Sequence, residues 1–138
     1  MTFARQYCQL IHKLNQSPIP APAALILERG TEGTVRRRCR WRGTQGACYA
    51  NAQYLASRRK GLRYAEGFAT SVIPVEHAWC VDAEGRVIDP TWDYKYQPDY
   101  FGIIFEADHV RRIRQITGPK AYSLLFTWWK WAEIYPLL

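Results

Sequence analysis

The sequence predicts an α+β fold in which one helix packs on a small antiparallel sheet and further helices are added at both ends. Three observations predict it. Apolar residues recur at helical spacing over residues 3–15 and again over about 47–60. From about residue 62 to residue 89 the pattern changes to short strand-like runs. Two of those runs are joined by Asp82-Ala83-Glu84-Gly85-Arg86, which has the form of a hairpin loop.

The first helix carries Phe3, Tyr7, Leu10, Ile11 and Leu14 on one side. Ser17-Pro18-Ile19-Pro20-Ala21-Pro22 ends it and forms a stiff extended connector. Ala23–Leu27 is a short apolar run of either type. Gly30, Gly33 and the arginines that follow read as a loop or an exposed ribbon. Thr44-Gln45-Gly46-Ala47 leads into the second helix, with Ala47, Cys48, Ala52, Leu55 and Ala56 broadly on one side. Arg58, Arg59 and Lys60 charge its last turn, which suits the helix dipole, and Gly61 stops it. Strands are expected over Leu62–Ser71, His77–Asp82 and Arg86–Asp89, with another over Tyr100–Phe105. A short helix is expected at 107–115, and a last helix over 119–134, starting near Pro119. The organisation expected is one domain over 1–138, with a core of about 44–105 and additions at 1–43 and 106–138.

Composition narrows the class. Hydrophobic residues make up 48% and aromatic residues 14% of 138 residues, a globular composition and not a disordered one. No apolar run is long enough for a membrane helix, and the N-terminus lacks a signal pattern, so a cytoplasmic location without a membrane partner is expected. Cys8, Cys39, Cys48 and Cys80 fit free thiols in a reducing compartment. The net charge is +7, and much of it is local. Arg58-Arg59-Lys60 with Arg63, and Arg111-Arg112-Ile113-Arg114, suit the solvated side of a helix. Arg36-Arg37-Arg38-Cys39-Arg40-Trp41-Arg42 is either a solvated face or, with its interleaved tryptophan, a surface for nucleic acid or another acidic partner.

Chemistry concentrates in Cys48, His77 and Asp89. A cysteine reacts as thiolate, and a neighbouring imidazole makes it one. The imidazole needs a third group to fix its tautomer and aim. Cys48 falls at the start of the second helix, where backbone N–H groups and the positive dipole end favour a thiolate and could stabilise an oxyanion. The hairpin brings the other two together. With Gly85 in the left-handed position of a three-residue loop, Asp82 pairs with Arg86, Trp79 with Asp89 and His77 with Thr91. His77, Trp79 and Asp89 then share a sheet face. A two-residue turn at Glu84-Gly85 would slip the register and put Asp89 beside Cys80. A zinc site from Cys39, Cys48, His77 and Cys80 is not expected, since His77 and Cys80 point to opposite faces of a strand. No metal or cofactor is expected.

The segments Gln45-Gly46-Ala47-Cys48-Tyr49-Ala50-Asn51-Ala52, Tyr64-Ala65-Glu66-Gly67-Phe68, His77-Ala78-Trp79 and Asp89-Pro90-Thr91 together resemble the transglutaminase-like superfamily of papain-like cysteine enzymes. The resemblance covers about residues 44–92 and implies a compact member, of bacterial or phage type, with a helix carrying the cysteine and antiparallel strands carrying the histidine and aspartate. It implies catalytic roles for Cys48, His77 and Asp89. Proteases, amidases, acyltransferases and protein crosslinkers belong to that superfamily, as do inactive members. Residues 1–43 and 93–138 match none of its motifs and are where substrate choice would be encoded.

Around this core stand further candidates, each with a structural alternative. Gln45 and Tyr49 are oxyanion or substrate candidates beside the backbone N–H of Cys48. Asn51 either braces the helix or touches substrate, and Trp79 shares the face of His77. Glu66 is expected to pair with an arginine. In Phe126-Thr127-Trp128-Trp129-Lys130-Trp131, Trp128 is expected to pack in the core, and an exposed aromatic patch would instead mark a partner or ligand surface. Two function classes follow. One is a cysteine-dependent acyl-transfer enzyme (protease, amidase, deamidase or transglutaminase-type) acting on a protein, a peptide or a small amide. The other is a catalytically silent binding module that uses the arginine ribbon and tryptophan-rich tail to hold an acidic or nucleic-acid partner.

Overall fold

The computed structural model describes residues 1–15, 20–93, 97–118 and 122–138. Five helices accompany one five-stranded sheet among these residues. The helices are α1 (Phe3–Leu14), α2 (Pro22–Arg29), α3 (Cys48–Arg58), α4 (Ala107–Thr117) and the single turn α5 (Trp131–Ile134). The strands are β1 (Thr31–Gly33), β2 (Arg63–Thr70), β3 (Pro74–Val81), β4 (Val87–Ile88) and β5 (Asp99–Phe105), in the order β1-β5-β2-β3-β4, with every neighbouring pair antiparallel. The α+β class read from the sequence is the one observed.

Alternation along the strands separates two faces. Tyr64, Phe68, Ala78, Cys80, Phe101, Ile103 and Phe105 point to the face on which the helices lie, meeting Ala4 and Cys8 of α1, Leu25 and Ile26 of α2, and Ala52 and Leu55 of α3. Ile113 of α4 and Leu124, Leu125 and Ile134 of the tail complete this core. The opposite face holds a smaller cluster of Ala65, Ala69, Trp79, Val81, Val87 and Tyr100, covered in part by Trp92. One layer of helices on one side of an antiparallel sheet is a standard solution for burying a sheet face.

The hairpin between β3 and β4 has the expected register. Cys80 pairs with Ile88 and Val81 with Val87, and Asp82 N–H donates to Arg86 O at 3.0 Å. Gly85 has φ +81°, the left-handed position that the three-residue loop requires. The ladder stops at Ile88, so Asp89 leaves the sheet and turns, and the edge of β3 before Cys80 has no β4 partner. Residues 35–37 run beside the outer edge of β4, through an isolated parallel bridge between Arg36 and Val87. This covers an edge that would otherwise be open.

Several expectations are corrected. Pro22 does not continue a connector; it opens α2, where its missing N–H costs nothing. Ser17, Pro18 and Ile19 lie outside the described residues. Ala23–Leu27, which the sequence left open, is helical, within α2. Of the loop or exposed ribbon expected after Gly30, Thr31–Gly33 takes the ribbon form, an edge strand paired with β5. Over the described part of the helix expected at 119–134, only the single turn α5 is α-helical. Pro119 is outside the described residues, residues 122–127 are irregular, and Trp128–Lys130 is a 3₁₀ turn leading into α5. Trp128 is not in the core: it is 81% exposed, and Trp129 54%. Among the described residues no helix is long and apolar enough to cross a membrane.

Candidate active site

The first turn of α3 presents Cys48, which is half-buried, whereas Cys8, Cys39 and Cys80 are buried. Three hydrogen bonds dock this end of the helix and the turn before it onto the chain that follows β4. Asn51 Nδ2 donates to Thr91 Oγ1 at 2.9 Å and to Thr44 O at 2.8 Å. The Gln45 side-chain amide donates to Thr91 O, and Gly43 N–H to Pro90 O at 2.8 Å. Gly43 must be small, since a Cβ there would lie 2.0 Å from Asn51 Oδ1. Asp89-Pro90-Thr91 is thus clamped to the helix that carries the thiol.

His77 stands on β3 with 3% of its side chain exposed, and the Asp89 side chain is fully buried. His77 Nε2 and Asp89 Oδ2 are 2.9 Å apart. The Cys48 side chain is near enough to the ring to act on its titration, through hydrogen bonding and charge. With Nε2 engaged by Asp89, the ring nitrogen left for the thiol is Nδ1. The structure therefore brings Cys48, His77 and Asp89 together in that order.

Asp89 is held by more than the histidine. Its Oδ1 accepts from the N–H groups of Thr91 (2.8 Å) and Trp92 (3.0 Å), and Tyr100 Oη donates to Oδ2 at 2.8 Å. Burial pushes its carboxyl up, but the hydrogen bond and charge of His77, with those N–H donors, outweigh burial and hold it below the usual carboxylate range. Burial likewise disfavours a charged His77. Hydrogen bonds to Asp89 and to Cys48, together with the charges of both, prevail and raise the imidazole to about 9. Such an imidazole carries its proton at neutral pH and can pair with a thiolate.

Aromatic rings enclose the histidine. Trp92 stacks on it at 3.9 Å between centroids and 17° between planes, and Trp79 lies at 6.3 Å and 20°. Beside His77 the sheet carries no side chain on this face, because His77 pairs with Gly67 and Gly67 with Gly102. A Cβ on Gly102 would lie 2.6 Å from Trp79 Cη2 and 2.3 Å from Glu66 O. The glycine row lets Trp79 lie flat across the sheet beside the imidazole.

The remaining candidates take structural places. Gln45 spends its amide on Thr91 O, so it is not aimed at an oxyanion. Asn51 is the brace between α3 and Thr91. Tyr49 is half-buried, and its hydroxyl is pushed up by burial and by the nearby Glu66. Trp79 is buried at 2% exposure and walls the histidine. This leaves the N-terminal N–H groups of α3 as the backbone donors beside Cys48; the N-cap residue Ala47 contributes no side-chain hydrogen bond there. Glu66 has no arginine partner among the described residues. It is fully buried and accepts from Tyr64 Oη, Ser123 Oγ, and the N–H groups of Leu124 and Leu125. Among the described residues no three His, Cys, Asp or Glu side chains are grouped as for a metal ion.

Trp92 and Tyr100 were not singled out by sequence. Trp92 directly follows Asp89-Pro90-Thr91, which is the one signal that could have drawn it in. Tyr100 reaches Asp89 only because β5 lies on the far side of β2, an adjacency that no local pattern encodes. No protein-family model, curated protein or solved structure matches the chain.

Proposed function

We propose that this chain is a cysteine-dependent acyl-transfer enzyme built on a papain-like core of the transglutaminase-like kind. The observation that carries the reading is the position of His77, with Nε2 on buried Asp89 and Cys48, at a helix start, near enough to act on the titration of the ring. The Cys48 thiolate attacks an amide or ester carbonyl and forms a C–S bond, and the carbonyl oxygen gains the negative charge. N–H groups at the start of α3 stabilise that oxyanion. The His77 imidazolium gives its Nδ1 proton to the leaving amine or alcohol as the C–N or C–O bond breaks, leaving a thioester. Water or an amine then attacks the thioester, and neutral His77 takes the proton of that nucleophile. The C–S bond breaks and the thiolate returns. Asp89 keeps the proton on Nε2 throughout and stabilises the imidazolium. Water as acceptor makes the reaction a hydrolysis, and an amine makes it a transfer. Protein, peptide and small amide substrates all fit this chemistry.

Thiol labelling tests the reading. Iodoacetamide near neutral pH is expected to modify Cys48 first. Cys8 is disfavoured because burial pushes its thiol up to about 12, and burial also raises Cys39 and Cys80. His77→Ala should remove the preference for Cys48. Equal rates at all four cysteines of the folded protein, or an unchanged Cys48 rate in His77→Ala, would end the enzyme reading.

A further inference from the structure

The arginine segment and the end of α3 converge. Arg37, Arg38, Arg40 and Arg42, with Arg59 from the C-cap of α3, line a cleft of about 690 Å³ whose floor includes Cys39. The second arginine cluster of the sequence is therefore not merely a solvated helix face, because Arg59 joins the first cluster. Arg37 lies 4.0 Å from Asp82, and Arg42 3.7 Å from Asp93. Arg38, Arg40 and Arg59 have no acidic partner among the described residues. Guanidinium groups gathered without counter-charges raise the local potential, and planar forks of this kind suit phosphate oxygens.

A second observation sits beside the cleft. Trp41, between two of the cleft arginines, packs against Tyr54 of α3 at 5.1 Å, and both rings are exposed (36% and 47%). Arg58 lies over the Tyr54 ring at 5.3 Å. Cys39 Sγ donates to Trp41 O at 2.8 Å and ties the backbone of this loop to the cleft floor. An exposed aromatic pair next to a cationic groove is the arrangement that binds unpaired bases by stacking and their backbone by charge.

We propose that this cleft binds single-stranded nucleic acid, with phosphates on Arg38, Arg40 and Arg59 and a base on the Trp41–Tyr54 platform. A duplex keeps its bases stacked inside and cannot use the platform. An anionic membrane would use the charges and not the rings.

Fluorescence anisotropy tests this with the full chain and labelled oligothymidylate and oligouridylate of about 12 nucleotides. Binding to one or both is expected at low salt. The logarithm of the affinity should fall with the logarithm of salt at a slope of roughly −2 to −3, as for three to four phosphate contacts on a single strand. Arg38→Gln with Arg40→Gln should flatten that slope by about 1.4. Trp41→Ala should weaken binding roughly tenfold, and Trp41→Phe should restore most of it. These side chains are exposed, and the Cys48 labelling rate reports that each variant is folded. Absence of binding at about 20 mM salt would overturn the proposal. So would equal affinity for a duplex of the same length or for phosphatidylserine vesicles, combined with indifference to Trp41→Ala. That pattern belongs to a general polyanion surface.

Discussion

Nε2 of His77 lies 2.9 Å from Oδ2 of Asp89, and both side chains are buried. Because Asp89 also accepts from Tyr100 and from two backbone N–H groups, its carboxylate cannot turn away without abandoning four donors. The histidine is therefore aimed by a group that is itself aimed. Cys48, whose side chain acts on the titration of the ring, sits at a helix start that the Asn51–Thr91 contact holds against the same turn.

Asp89→Asn tests the aiming. The Thr91 and Trp92 N–H groups should keep the amide oxygen at the Oδ1 position, placing the NH₂ against Nε2 of His77. Nε2 must then accept, the proton moves to Nδ1, and Nδ1 can no longer take a proton from Cys48. The Cys48 alkylation rate, and any turnover found, should fall on the order of 10²–10⁴-fold. The melting temperature should change far less. A variant that labels at the wild-type rate would remove Asp89 from the mechanism.

The pH dependence follows from His77. An unfolded imidazole titrates near 6.5, and in the fold His77 holds its proton to about 9. The folded state binds that proton more tightly, so the stability it adds is complete below about 6.5 and is lost as pH rises through 9. Cys48→Ala removes one of the two side chains whose hydrogen bonding and charge raise the imidazole. Its midpoint, followed by NMR of the ring protons, should move down, and urea unfolding should show less stability lost between pH 6 and pH 9.5. An unmoved midpoint would mean that thiol and imidazole are uncoupled.

The hairpin was legible because Gly85 dictates a loop and the loop dictates a register; that register brings the chain back beside His77, although the ladder ends at Ile88 and the expected Trp79–Asp89 and His77–Thr91 pairs do not form. The start of α3 was legible from the turn residues before Cys48. The tail was not. Its tryptophans suggest a helix locally, but Ser123, Leu124 and Leu125 are drawn onto the sheet by Glu66, more than fifty residues earlier in the chain. The role of Glu66 was hidden for the same reason, since a lone carboxylate in a strand does not show which donors will surround it. Trp92 stacks on His77 from beyond the end of the ladder, where pairing rules no longer apply.

Glu66 makes a separate prediction. Burial raises its carboxyl to about 7 despite the four donors that favour the charged form. Its folded value stands above the ordinary 4.5, so the stability it contributes is greatest below 4.5 and declines as pH rises through 7. Glu66→Gln keeps the shape but turns an NH₂ toward a group that donates. It should cost about 1–3 kcal/mol in urea unfolding and detach the tail from β2 first. The deficit relative to wild type should be larger at pH 5 than at pH 8. A deficit that grows with pH would mean that the charged carboxylate is the stabilising form.

Two glycines separate local strain from positioning of the base. Gly85 has φ +81° with nothing within 4 Å of a built Cβ, so Gly85→Ala pays only backbone strain, about 1–2 kcal/mol. The register is also held by the ladder pairs and by Arg86 on Asp82, so Cys48 labelling should remain near the wild-type rate. Gly102 has no positive φ, but a Cβ there meets Glu66 O and Trp79 Cη2. Neither a strand backbone nor a buried indole can retreat cheaply, and overpacking of this kind costs about 1–3 kcal/mol or more. Trp79 would be pushed toward the imidazole that it flanks at 6.3 Å. Gly102→Ala should therefore slow Cys48 labelling at a temperature where it remains folded, whereas Gly85→Ala should not. If Gly102→Ala loses stability but labels at the wild-type rate, the glycine row serves only the packing of Trp79, and the histidine is held by Asp89 and Trp92.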